Sequence, residues 1–234
     1  MFDLSGEVVK SDKEAIDIKK SIAKTDVTLV SAFLTSINRR TDRKIENYVE
    51  WSQHLLMCDI PKVIFIEYFI YDLYYKQNNI NGLYPQTCFI YIEQDCLYLN
   101  KYRDQITHFT ISTDNPHKDT LDYMLMQCQK TEWVNQAIDL NIFDTDQYVW
   151  VDFGLYQVFK DIKLFENSLY SLQQEDKSYK NVRIGGCWNL EETPESKRID
   201  IYRGIAWYFA GGVFGGHKNE LVLFNKLAME KCRD

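Results

Sequence analysis

Residues 143–154 read Phe143-Asp144-Thr145-Asp146-Gln147-Tyr148-Val149-Trp150-Val151-Asp152-Phe153-Gly154. Polar, turn-forming residues lead into Tyr-Val-Trp-Val, and this apolar run stops on one carboxylate with a glycine two places on. A short run of this kind describes a strand buried on both faces, as parallel sheets have. Ligands of open α/β sheets bind just beyond the carboxyl ends of such strands. Asp152 falls there, and its oxygens suit a hard divalent cation and, through it, a diphosphate. Gly154 lets the backbone come close to a ligand. The plainer alternative is an aspartate that caps a helix starting near Leu155 and binds nothing.

Outward from this strand, apolar runs and helical periods alternate. Val27–Phe33, Val63–Phe69, Thr87–Glu93 and His108–Ser112 read as strands, and Asn181–Trp188 and Ile205–Phe214 as late ones. Thr41 or Asp42 is placed to cap a helix running to about Met57, with Ile45, Tyr48, Val49, Leu55 and Leu56 near one face. Asp114-Asn115-Pro116 is a turn opening a long helical region. A helix from about Leu155 to Gln174 and a closing helix over His217–Lys231 follow. The fold class expected is α/β, a largely parallel, doubly wound sheet flanked by helices. Residues 1–26 read as an amphipathic helical extension; Gln173–Lys180 and Glu191–Lys197 read as exposed loops.

Within the long helical region, Leu121, Met124, Leu125 and Cys128 form one apolar stripe, and Trp133, Val134, Ala137 and Ile138 form another on roughly the opposite side. A straight helix against one surface would not bury both, so a break near Gln129–Thr131 is predicted, with Thr131 as cap. Lys130 lies at that junction. It reads either as a cation near the end of the Asp152 strand, facing phosphate, or as a solvated surface lysine.

The segment from Trp207 to His217 concentrates glycine: Gly211, Gly212, Gly215 and Gly216 are four of the chain's 10 glycines. Such spacing permits close backbone approach and can present amides to a ligand. It lacks the spacing of a Walker loop and of a dinucleotide fingerprint. A tight turn with a bulged strand is the bland reading. His217 reads as a metal ligand through neutral imidazole or as a polar residue at a helix start.

Composition narrows the classes. With 234 residues, 45% of them hydrophobic, one large domain with a substantial core is expected. A net charge of −7 disfavours a nucleic-acid partner. The six cysteines include no CxxC pair, which argues against zinc, and several lie in apolar runs, as in a reducing compartment. No signal-peptide segment or run of membrane-spanning length is evident, so a cytoplasmic location is expected.

Four stretches together resemble the HtrL/YibB family of bacterial proteins: VTLVSAFLTSINRR with ENYVEWSQHLL, IPKVIFIE, KTEWVNQAI with FDTDQYVWVDFG, and IAWYFAGGVFGG. They span about residues 27–231. The resemblance implies a GT-A-like, Rossmann-related glycosyltransferase domain over 27–234, hexosyltransferase-like, with further family sequence beyond the position of Asp234. It implies a nucleotide-sugar donor, UDP- or GDP-linked, a glycan acceptor and a role in polysaccharide biosynthesis. Thr35, Arg39, Arg40 and Glu67 would then hold base and ribose, or the arginines would meet phosphate. Lys130, Asp152 and Gly154 would lie at the diphosphate, and Gly211, Gly212, Gly215 and Gly216 at the sugar. Asp152 takes the place of a metal-binding DxD motif whose second carboxylate is here Gly154, so His217 is expected to help it bind manganese or magnesium. No catalytic base is assigned. A non-catalytic carbohydrate-binding or assembly module and another nucleotide-dependent transferase are the alternatives.

Overall fold

The computed structural model describes residues 26–35, 43–93, 97–106, 120–159, 161–173, 180–187 and 209–233. Expectations that fall on residues 1–25, 36–42, 107–119, 174–179 and 188–208 therefore lie outside the described residues. They include the N-terminal helix, the caps Thr41 and Asp42, the strand His108–Ser112 and the turn Asp114-Asn115-Pro116.

The described strands are β1 (Val27–Phe33), β2 (Lys62–Ile66), β3 (Thr87–Tyr91), β4 (Gln147–Val151), β5 (Arg183–Gly186) and β6 (Phe209–His217). They form one six-stranded sheet in the order β3-β2-β1-β4-β6-β5. The first four run parallel; β6 is antiparallel to β4, and β5 to β6. The helices are α1 (Ile45–Leu56), α2 (residues 68–80), α3 (Leu121–Leu140), α4 (Tyr156–Phe159), α5 (Ile162–Tyr170) and α6 (Lys218–Arg233).

Side chains alternate across a strand, so each central strand feeds two cores. Leu29, Phe33, Ile64, Ile66, Val149 and Val151 face one layer with Leu55 and Leu56 of α1, Ile70 of α2 and Phe165 of α5. Val30, Val63, Phe65, Tyr148 and Trp150 face the other, with Trp133, Val134 and Ala137 of α3 and Leu221 of α6. All of β2 and β4 is buried. This is the mostly parallel sheet, flanked by helices on both faces, that the sequence implies.

Four local readings are corrected. The strand read to Phe69 ends at Ile66, and residues 68–80 are helical, with a π turn at Tyr71–Tyr75. Tyr71 and Tyr75 pack against Phe89 of β3, with ring centroids at 5.0 and 6.2 Å. The helix read from Leu155 to Gln174 is two helices, the second started by Asp161, whose carboxylate accepts from Leu164 N at 2.8 Å.

The break predicted near Gln129–Thr131 is absent: α3 runs unbroken from Leu121 to Leu140. Its partners change along its length instead. Leu125 packs with Leu99 and with Met229 of α6, whereas Trp133, Val134 and Ala137 lie on the sheet. The cap is Thr120, which accepts from Tyr123 N at 3.2 Å, and Thr131 bonds back to Cys128 O. Finally, the glycine-rich segment holds no turn: the strand read to Phe214 runs on through Gly215 and Gly216 to His217 as β6, with a register shift against β5 at Ile184/Gly185.

Candidate functional site

The strand order reverses direction between β1 and β4, and the carboxyl ends of β1, β2 and β4 lie on one edge of the sheet together with the start of antiparallel β6. Such an edge is where open α/β sheets take their ligands. Four of the expected site positions meet on one part of it.

Asp152 follows the last residue of β4, and its backbone N–H donates to Gly212 O at 2.9 Å, which joins it to β6. Trp150 lies two residues earlier, hence on the same side of the strand, and its indole Nε1 donates to Asp152 Oδ1 at 2.7 Å. The Trp150 ring stacks on Trp133 of α3 with centroids 5.8 Å apart and planes at 10°. Lys130 lies three residues before Trp133, so it projects from the same helix face. Its Nζ consequently reaches Asp152 Oδ1 at 2.8 Å and donates to Gly211 O at 3.2 Å, passing 5.7 Å from the Trp150 ring centre. The lysine side chain is 12% exposed and that of Asp152 38%. Two local spacings thus build the pair: Lys-x-x-Trp on a helix and Trp-x-Asp on a strand, with tryptophan stacked on tryptophan between them.

Lys130 therefore stands at the end of the Asp152 strand, paired with the carboxylate. Trp150 is the site residue that sequence reasoning missed. In the sequence it is one residue of an apolar run, and its same-side spacing to Asp152 is the signal that marks it. A Cβ at Gly212 would lie 3.3 Å from Leu155 and 3.4 Å from Asp152 Oδ2, so the small residue keeps room beside the carboxylate.

On the same edge, across β1 from the pair, Glu67 follows β2 and is buried. Its Oε2 accepts from both the backbone N and the Oγ1 of Thr35, at 2.6 and 2.7 Å. Glu67 thereby fixes the carboxyl end of β1; Arg39 and Arg40 lie outside the described residues.

Three other expectations are corrected. Gly154 is buried and serves packing: a Cβ there would be 3.0 Å from Tyr48 and 3.3 Å from Trp51, so glycine admits α1 against the turn after β4. Gly215 and Gly216 pair with Val149 and Tyr148, towards the amino end of β4. A Cβ at Gly215 would lie 2.6 Å from Tyr148 O, and one at Gly216 2.5 Å from Asn181 O. They are required by neighbouring strands and flanking backbone.

His217 pairs with Gln147, the first residue of β4. Five strand residues from Gly212, it lies roughly 17 Å from the Asp152 end at about 3.3 Å per residue. Its Nδ1 accepts from Asn219 N at 3.3 Å, a cap for α6. The metal role expected of His217 with Asp152 is thus excluded by register.

What remains is one carboxylate whose Oδ1 already receives an ammonium and an indole N–H. A hard divalent cation needs several oxygen or imidazole donors. Among the described residues no group of three or more His, Cys, Asp or Glu side chains is placed to hold one. The described donor set does not fit a manganese or magnesium ion.

The fold and this edge define a doubly wound α/β domain with a candidate anion-binding site at the reversal of its strand order. The chain belongs to the family described as "Bacterial protein of unknown function (HtrL_YibB)", whose model matches residues 25–234. No curated protein matches it significantly. Among solved structures it is similar to the apo form of mouse xyloside xylosyltransferase 1, at 9% identity over 89% of this chain and 72% of that one, with a TM-score of 0.43. Among the described residues no helix is long and apolar enough to cross a membrane.

Proposed function

We propose that this chain is a glycosyltransferase that takes a sugar from a nucleoside-diphosphate donor, UDP- or GDP-linked, to a hydroxyl of a glycan acceptor. The observation that carries the reading is the Lys130–Asp152 pair at 2.8 Å on the carboxyl edge, beside the reversal of strand order. A cation held at that place by a carboxylate and two stacked indoles suits a diphosphate.

In the proposed reaction the bond between the anomeric carbon and the β-phosphate oxygen breaks. A bond from the acceptor oxygen forms, the nucleoside diphosphate leaves with the electron pair, and the acceptor gives up its proton. Negative charge grows on the diphosphate as it leaves. Lys130 is the group that meets this charge; stabilising charge as it develops is commonly the largest part of catalysis. Thr35, fixed by Glu67 after β1, meets base and ribose, and Gly211 and Gly212 leave space for the sugar. A role in polysaccharide biosynthesis follows from the acceptor class proposed.

The test is incubation with a panel of UDP- and GDP-sugars and measurement of released nucleotide, with and without added oligosaccharide. Acceptor-dependent release is expected. Donor binding without release under any acceptor would instead support a non-catalytic binding module.

A further inference from the structure

Resting on the diphosphate reading above, we propose that this site needs no divalent metal: Lys130 stands where the metal would, and Asp152 is its dock rather than a metal ligand. The geometry points there in three ways. First, Asp152 Oδ1 is already committed to Lys130 Nζ at 2.8 Å and to the Trp150 indole at 2.7 Å. A divalent ion on that oxygen would stand within a few ångströms of an ammonium, and like charges at such range repel strongly in a partly dry site.

Second, the lysine is built in. It is nearly buried, it lies along the Trp150 ring, and its second acceptor is a backbone carbonyl of β6. Lys130 therefore approaches the edge from a fixed direction, as a resident cation should. Third, an ammonium has three N–H donors, and the contacts to Asp152 and Gly211 use two. The exposed side of Asp152 lets a second anion approach the same cation. A diphosphate arriving there exchanges with the carboxylate for Lys130, while the Trp150 indole stays on Asp152 and limits its repulsion of the phosphates.

This assigns opposite consequences to one substitution. If Asp152 were a metal ligand, Asp152→Asn would remove the diphosphate's cation. If Asp152 is a dock that competes with the diphosphate, the same change frees Lys130 and removes a nearby negative charge, so the diphosphate binds more tightly.

The experiment is isothermal titration calorimetry of the full chain with UDP, GDP, uridine and guanosine, each in EDTA and in manganese. Circular dichroism checks that every variant is folded. Wild type is expected to bind a nucleoside diphosphate in EDTA with a Kd within about threefold of that in manganese. Lys130→Gln is expected to weaken the diphosphate about tenfold or more, the scale of one lost charge-assisted hydrogen bond, with the nucleoside little changed. Asp152→Asn is expected to tighten diphosphate binding in EDTA.

Binding seen only with manganese, or lost in folded Asp152→Asn, overturns the metal-free site while leaving the glycosyltransferase reading standing. No binding of either diphosphate under either condition overturns both. Should Lys130→Gln fail to fold, Asp152→Asn decides alone, because the two accounts give it opposite signs.

Discussion

The two edges of the sheet each carry a lysine drawn into the structure, and the two lysines are treated differently. At the amino edge, Lys62 begins β2 and is fully buried. Its Nζ donates to Cys58 O, Pro85 O and Thr87 Oγ1, at 2.6, 2.8 and 3.3 Å. All three acceptors are uncharged, and burial lowers its pKa to about 8. At the carboxyl edge, Lys130 has a carboxylate partner and opens on solvent through Asp152. The first lysine ties the segment after α1 and the entry to β3 to the start of β2, a fixed arrangement with no exchangeable anion. The second is held by an anion that another anion can replace.

The largest expected effect breaks the amino edge. Lys62→Met takes the donor from buried Cys58 O and Thr87 Oγ1, Pro85 O keeping only its bond from Thr87 Oγ1 at 3.0 Å, and should cost roughly 2–4 kcal/mol in urea unfolding, whereas Lys130→Gln should cost under about 1 kcal/mol, as a partly exposed pair does. The pH dependence separates them further. An unfolded lysine titrates near 10.5 and folded Lys62 near 8, so between those values the unfolded chain binds the extra proton. Stability contributed by Lys62 therefore rises with pH over that window, since the cost of burying its charge is relieved. The difference between wild type and Lys62→Met should follow this trend. A flat difference would mean that the three acceptors keep the ammonium charged.

How much of this contrast could be read beforehand depends on what the side chains reveal. β1, β2 and β4 were legible because unbroken apolar runs can be buried on both faces. Asp152 and Lys130 were legible as candidates for the same end of the strand. Gly211 and Gly212 fall within the strand read to Phe214, but its continuation through Gly215 and Gly216 was not legible, because a residue without a side chain leaves no alternation to read. The helix at residues 68–80 was hidden by Tyr68, Phe69 and Tyr71, which suit strands equally well in isolation. Continuity of α3 was hidden because its two apolar stripes answer to different partners, α6 and then the sheet. His217 is expected at the metal because Gly154 leaves Asp152 without a second carboxylate; only antiparallel register sends it to the opposite edge.

A middle-sized effect sharpens the comparison within β6, which touches both edges. Gly215→Ala puts a methyl against backbone that cannot yield, 2.6 Å from Tyr148 O and 2.9 Å from Val149 Cα. The expected loss is about 1–3 kcal/mol of stability, as for overpacking generally. Gly212→Ala meets Leu155 and Asp152 Oδ2 at 3.3 and 3.4 Å, side-chain atoms with some freedom. Its unfolding midpoint should shift little, and use of the nucleotide-sugar should fall more than binding of the bare nucleotide. Equal melting shifts in the two variants would show that the Asp152 end of β6 is packed as tightly as the Gly215 end, leaving no room for a ligand there.

The smallest effect concerns a second Lys–Asp pair that looks like the first. Lys218 Nζ meets Asp146 at 2.6 Å, with the side chains 36% and 55% exposed, at the amino edge. The hydrogen bond and charge of Lys218 hold the Asp146 carboxyl below its ordinary range, and Asp146 raises Lys218 in turn. The depressed carboxyl contributes stability present above its unfolded value and lost as pH falls through its folded one. The raised ammonium contributes below its unfolded value and loses that contribution as pH climbs through its folded one. Across neutral pH the contribution is therefore flat, and solvent and salt screen it. Lys218→Ala should return the Asp146 carboxyl towards its ordinary range in an NMR titration. It should scarcely alter the melting temperature, because the backbone bond from Lys218 N to Asp146 O, at 2.9 Å, needs no side chain. Diphosphate affinity should also be unchanged, since this pair stands at the far end of β4 from Asp152. If Lys218→Ala weakened the diphosphate as much as Lys130→Gln does, binding would follow overall charge rather than position, and the distinction between the two edges would fall.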